Sequence, residues 1–150
     1  MKVSFTTKEY ARLLELVYLG LWVAGARPED PASTPDRYAD VAQKAYGMAE
    51  AMGCAELVDV DLEGLYFPAE KLQNGAARDR LDRFMDDSFW EELASRLAER
   101  DLRQDREVSE ETVPYSAEEE ERLAKMEDQY WREFEQAGVD HLHLIKGGQG

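Results

Sequence analysis

The sequence predicts a mainly α fold: a compact domain of five to six helices around a buried N-terminal helix, with at most a short β-pair. Apolar residues recur at three- and four-residue intervals through most of the chain. Three pairs, Thr6 with Glu9, Ser88 with Glu91 and Ser116 with Glu119, have capping-box spacing, in which each side chain satisfies a backbone N–H of the other residue. A content of 43% hydrophobic residues over 150 positions is enough for a core without disulfide or metal staples.

The first helix is expected to open at Thr6 and to run through Tyr10, Leu13, Leu14, Val17, Leu21 and Ala24. Leu16, Leu19, Trp22 and Val23 fill the rest of its circumference, so it is expected at the centre of the core or buried in a partner. Pro28 and Pro31 end it. Thr34-Pro35 opens a second helix with an apolar stripe from Tyr38 to Met52, stopped at Gly53. The stripe is rich in alanine, which predicts close approach to the first helix. Residues 57–67 hold two apolar runs separated by Glu63-Gly64, read as a β-pair or as loop segments over the core. A helix over 78–85, with Leu81, Phe84 and Met85 facing in, precedes a separate one capped by Ser88. The last helix opens at Ser116 and ends at Gly138, and residues 139–145 alternate as an extended segment. The expected organisation is a helical core over 1–103, a mobile linker over 104–115, a helix with an extended segment over 116–146, and a disordered tail over 147–150. The helix of 116–146 is expected to pack on the core or on another subunit.

Charge is the strongest compositional signal. Thirty-three acidic residues stand against eighteen basic ones, a formal charge of −15. The first fifty residues carry seven acidic and six basic side chains, so the surplus lies behind them. Such a chain is a poor direct ligand for nucleic acid, where affinity comes from Lys and Arg displacing counterions, and for an anionic membrane. Acidity favours solubility and long-range attraction to a basic protein partner. Cys54 is the lone cysteine, so no internal disulfide forms, which fits a reducing, cytoplasmic setting.

Residues 59–70 read Asp-Val-Asp-Leu-Glu-Gly-Leu-Tyr-Phe-Pro-Ala-Glu. The segment resembles the calcium loop of the EF-hand family. The resemblance implies calcium bound by the carboxylates of Asp59, Asp61, Glu63 and Glu70 and the carbonyl of Leu65, with Gly64 at the sharp turn. It departs from that loop in the length of Glu63 and in Pro68, which falls where the exiting helix runs. The alternative is an acidic turn joining two core segments. His141 and His143, beside Asp140, share one face of an extended segment and could reach one zinc ion, although zinc requires further ligands. Cys54 reads as a core thiol. Asp82, Asp86, Asp87, Glu91 and Glu92 read as capping and solvent-facing groups rather than a catalytic pair. Trp131, beside the main stripe of its helix, is the aromatic residue expected to make an exposed contact.

No nucleophile triad or phosphate loop accompanies these features. The function expected from sequence is a small acidic cytoplasmic protein-interaction module without catalytic activity or a required cofactor, with a basic protein or a second copy as partner. The alternatives are a calcium- or zinc-binding protein and an acidic mimic of DNA.

Overall fold

The computed structural model describes residues 3–25, 36–106 and 114–143. Among them the chain is mainly helical with one short β-pair, and the long helices number four. They are α1 (Thr7–Val23), α2 (Asp36–Gly47), α4 (Ala76–Asp105) and α5 (Ala117–Ala137). Between α2 and α4 lie a 3-10 turn (Ala55–Leu57), strands β1 (Val58–Val60) and β2 (Tyr66–Pro68), and the single helical turn α3 (Glu70–Gln73). The chain divides into two compact units, Met1–Phe84 and Met85–Gly150.

The core of the first unit forms around α1. Thr6 and Glu9 make the expected capping box, and Tyr10, Leu14, Tyr18 and Leu21 form its buried stripe. Ala42, Tyr46 and Ala49 meet this stripe from α2 and the turns after it, and Cys54, Leu72 and Ala77 complete the cluster. Leu14 is fully enclosed, which contributes roughly 1.5–3 kcal/mol. The Tyr10 hydroxyl donates to Ala45 O at 2.6 Å, so burying this tyrosine also fixes α2. The stripe covers one side of α1 only, and Leu16 and Val23 remain exposed.

α2 ends at Gly47, earlier than its apolar stripe suggests. Residues 48–53 continue as hydrogen-bonded turns, and Gly53 takes a positive φ of 74°. β1 and β2 pair antiparallel, with Asp59 opposite Phe67. The outer edge of β2 is closed by the Gln43 side chain, whose amide donates to Tyr66 O at 2.8 Å and accepts from Tyr66 N at 2.9 Å.

The structure corrects the helix count at α4. The two helices expected over 78–85 and from Ser88 are one helix of 30 residues. No Gly or Pro lies between Gly75 and Arg106, and Asp86, Asp87 and Ser88 each cost only a few tenths of a kcal/mol in a helix interior. An unbroken backbone ladder outweighs a cap at Ser88. Leu81 is buried as expected, whereas Phe84 and Met85 are exposed. α4 starts after Gly75, where a Cβ would lie 2.9 Å from the Lys71 carbonyl oxygen.

In the second unit, α5 opens with the Ser116–Glu119 capping box and runs antiparallel to the later part of α4. Trp90 meets Phe134 with ring centroids 5.3 Å apart, and Ser95 donates to Glu127 at 2.9 Å. Tyr130 donates to Asp101, which Arg100 also pairs, and this tyrosine bond holds the Asp101 carboxyl below its usual range. Ala94, Ala98 and Leu102 of α4 and Phe134 of α5 are buried. The segment after Gly138 is not extended where it is described: Val139, Asp140 and His141 form a turn, closed by Leu142 N donating to Val139 O at 2.9 Å. Residues 107–113 of the expected linker, 144–145 of the expected extension and the tail lie outside the described residues.

Two tyrosines in the first core have opposite accounts. Tyr46 is 2% exposed, and its buried hydroxyl has no hydrogen-bond partner among the described residues. Tyr46→Phe is therefore expected to raise stability by about 1 kcal/mol, and Tyr10→Phe to lower it by about 1 kcal/mol. Urea unfolding measures both. A loss of stability in Tyr46→Phe would mean that the hydroxyl is satisfied.

The capping boxes add a pH dependence. Backbone N–H donation, from Thr6 to Glu9 and from Ser116 to Glu119, pulls both glutamate carboxyls below their ordinary range. A folded pKa below the unfolded one gives stability that is whole above the unfolded value. That stability is lost as pH falls through the folded value. The double variant Glu9→Gln, Glu119→Gln is expected to have a flatter acid limb in melts at stepped pH, and an unchanged limb would refute this account.

Candidate interaction surfaces

The first surface is the α1–α2 seam. On α1 the residues Val17, Gly20 and Val23, and on α2 the residues Tyr38, Val41 and Ala42, line an open groove of about 420 Å³ with no charged side chain. It forms because each helix has more apolar positions than the core between them uses. Val23 is 79% exposed and Val41 65%. Towards the start of α1 a second groove of about 450 Å³ is lined by Phe5, Leu13, Ala45, Met48 and Met52, with Lys44 its only charged residue. A Cβ on Gly20 would find nothing within 4 Å, so the seam is notched there.

The second surface is in the unit of α4 and α5. Trp90, Trp131 and Phe134 wall a cleft of about 220 Å³, with Asp86, Asp87 and Glu135 at its edge. Helical spacing explains the set: Asp86, Asp87 and Trp90 fall within four residues on α4, and Trp131, Phe134 and Glu135 do so on α5. Trp131 is half-buried in this wall. The periodicity of α5 signalled Trp131, while the cleft itself depends on α4 being one helix and was not visible in sequence.

The calcium-loop carboxylates are not gathered. Residues 61–65 close a β-hairpin with a three-residue loop, and Gly64 takes the positive φ of 83° that such loops require. Asp61 Oδ1 accepts from the backbone N–H of Glu63 at 2.8 Å and of Leu65 at 2.9 Å. Asp59 lies on β1 opposite Phe67, Glu63 is exposed in the loop, and Glu70 begins α3. Among the described residues no group of three or more His, Cys, Asp or Glu side chains is placed to hold a metal ion. His141 pairs with Glu133, and His143 is exposed.

Cys54 is buried, its thiol 3.4 Å from the Thr7 carbonyl oxygen, and burial pushes its pKa up, away from the thiolate. Asp82 pairs with Arg78 at 2.8 Å and Glu92 with Arg96 at 2.6 Å. These two carboxylates of α4 thus have basic partners four residues away. No described helix is long and apolar enough to cross a membrane.

No protein-family model, curated protein or solved structure matches the chain.

The hairpin geometry makes a direct test of the turn. Asp61→Ala is expected to cost roughly 1–2 kcal/mol, because two backbone N–H groups lose a charged acceptor. Glu63→Gln is expected to change stability by less than about 0.5 kcal/mol. Thermal melts with and without calcium check both. A calcium-dependent rise in the melting temperature that Glu63→Gln abolishes would restore the metal-loop reading.

Proposed function

We propose that this chain is a small acidic protein-interaction module without catalytic activity, and that it docks a second copy of itself through the α1–α2 seam. The observation that carries this reading is the apolar groove along two helices, exposed at Val23 and Val41 and with no charged residue lining it among the described residues, in a chain with net charge −15. Contiguous exposed apolar surface of this kind marks interaction sites in soluble proteins. Charge supports a second copy as the occupant. Residues 1–50 are nearly neutral, whereas residues 51–150 carry twenty-six acidic and twelve basic side chains. Two copies meeting at the seam avoid placing their acidic surplus in the contact, where like charges would cost most. Packing of two helix pairs face to face follows the four-helix-bundle pattern, and the Gly20 notch receives a side chain from the facing helix. A cytoplasmic setting belongs to the same reading, supported by Cys54 standing as a free thiol.

Sedimentation equilibrium over a wide concentration range tests the proposal. The expected result is a reversible monomer–dimer equilibrium that Val41→Glu abolishes while leaving the melting temperature of the dilute chain unchanged. Val41 is exposed, so its substitution leaves the core intact. A chain that sediments as a monomer throughout, or a dimer indifferent to Val41→Glu, would overturn it.

A further inference from the structure

We propose that the α4–α5 cleft walled by Trp90, Trp131 and Phe134 binds an alkylammonium group, the head of a lysine side chain or its methylated form on a basic protein segment. The site lies in the second unit and does not depend on the seam.

Aromatic faces attract cations through their negative quadrupole, and attraction grows when the cation sheds water. This chain uses that interaction on its own residues: Arg78 lies 4.9 Å from the Trp22 ring centroid, Arg106 4.9 Å from Tyr115 and Arg37 5.4 Å from Tyr38. Among the described residues no basic side chain lies over Trp90 or Trp131. Some carboxylates of α4 and α5 have basic partners, and others, such as Asp79, Glu91, Glu118 and Glu120, have no ion pair among the described residues. Glu92, Asp101, Asp105, Glu121 and Asp128 each pair with Arg or Lys. Asp86, Asp87 and Glu135, the three at the cleft, have no ion pair among the described residues. Two half-buried indoles with no cation over them therefore coincide with three carboxylates that have no ion pair among the described residues, which is the complement of one desolvated cation.

Size and shape select the ammonium head. A volume near 220 Å³ is below that of pockets for drug-sized ligands, and fits a compact group entering from the open side. Walls from two helices surround a rounded head better than they stack a flat guanidinium, which one ring face accommodates. The carboxylates at the edge speed capture, and the rings fix the bound pose.

The test uses the full chain with indole nitrogens isotopically labelled, so that NMR resolves Trp90 and Trp131 from Trp22. Tetramethylammonium, trimethyllysine, lysine, guanidinium and the uncharged isostere neopentyl alcohol are titrated separately. The expected result is saturable shifts of the Trp90 and Trp131 indoles, with the ammonium probes at least about fivefold tighter than the isostere. Trimethyllysine exceeding tetramethylammonium marks a side chain as the natural source, and the reverse order overturns the lysine assignment. Trp131→Leu is expected to weaken binding about fivefold or more. Glu135→Gln, an exposed change that leaves the fold intact, weakens the ammonium probes but not the isostere. Equal binding of isostere and cation, tighter binding of guanidinium, or shifts that do not saturate would each overturn the proposal.

Discussion

The first unit depends on one constraint: Tyr10, Leu14, Tyr18 and Leu21 must leave water together. Their spacing of four, four and three residues keeps them on one side of α1. A leucine in that stripe asks only for contact. A tyrosine also needs a partner for its hydroxyl, because an unpaired buried donor costs more than the bond gains when made. Tyr10 meets this by reaching the Ala45 carbonyl oxygen of α2. The Tyr18 hydroxyl lies at the outer limit of a bond, 3.5 Å from Gln73 O. Both contacts position a neighbouring segment as well as filling space.

Small residues do the complementary work. Ala42, Ala49 and Ala77 are buried where larger side chains would hold the backbones apart. Tyr38 and Val41 of α2, and Met48 just after it, stay exposed where they line the grooves beside α1. The exposed seam is thus the margin of the same helix pair whose centre is closed by small side chains.

The sequence announced the helical class, the capping boxes at Thr6 and Ser116 and the core around α1, because each rests on local spacing, and it left residues 57–67 open between the β-pair that forms and loop segments. It misplaced what rests on competition between local signals. Ser88-Phe89-Trp90-Glu91 has the form of a cap, yet nothing upstream breaks the helix, so continuity prevails. The acidic segment 59–70 was legible both as a ligand loop and as an acidic turn, and what spacing could not show is that Asp61 accepts from backbone N–H groups of its own loop. A linear pattern reports which groups are close along the chain, and not whether a backbone donor has already claimed them. The cleft at Trp90 and Trp131 was out of reach for a related reason: its two walls are some forty residues apart in sequence.

Electrostatics then distinguishes the two surfaces by what each lacks. The seam has little charge, Lys44 being the one charged residue lining its two grooves among the described residues, so an attraction there would be mainly apolar, short in range and little affected by salt. The cleft lacks a counter-charge, so its attraction is long in range and weakened by salt, even though its walls are aromatic. The acidic surplus of this chain has a different effect at each. Along α4 and α5 some carboxylates, among them Asp82, Glu92, Asp101, Asp105, Glu121 and Asp128, are tied to a neighbouring Arg or Lys, which lowers their reach to a distant partner. Carboxylates without such a neighbour act at longer range, and Asp86, Asp87 and Glu135 are three of them, beside two half-buried indole rings.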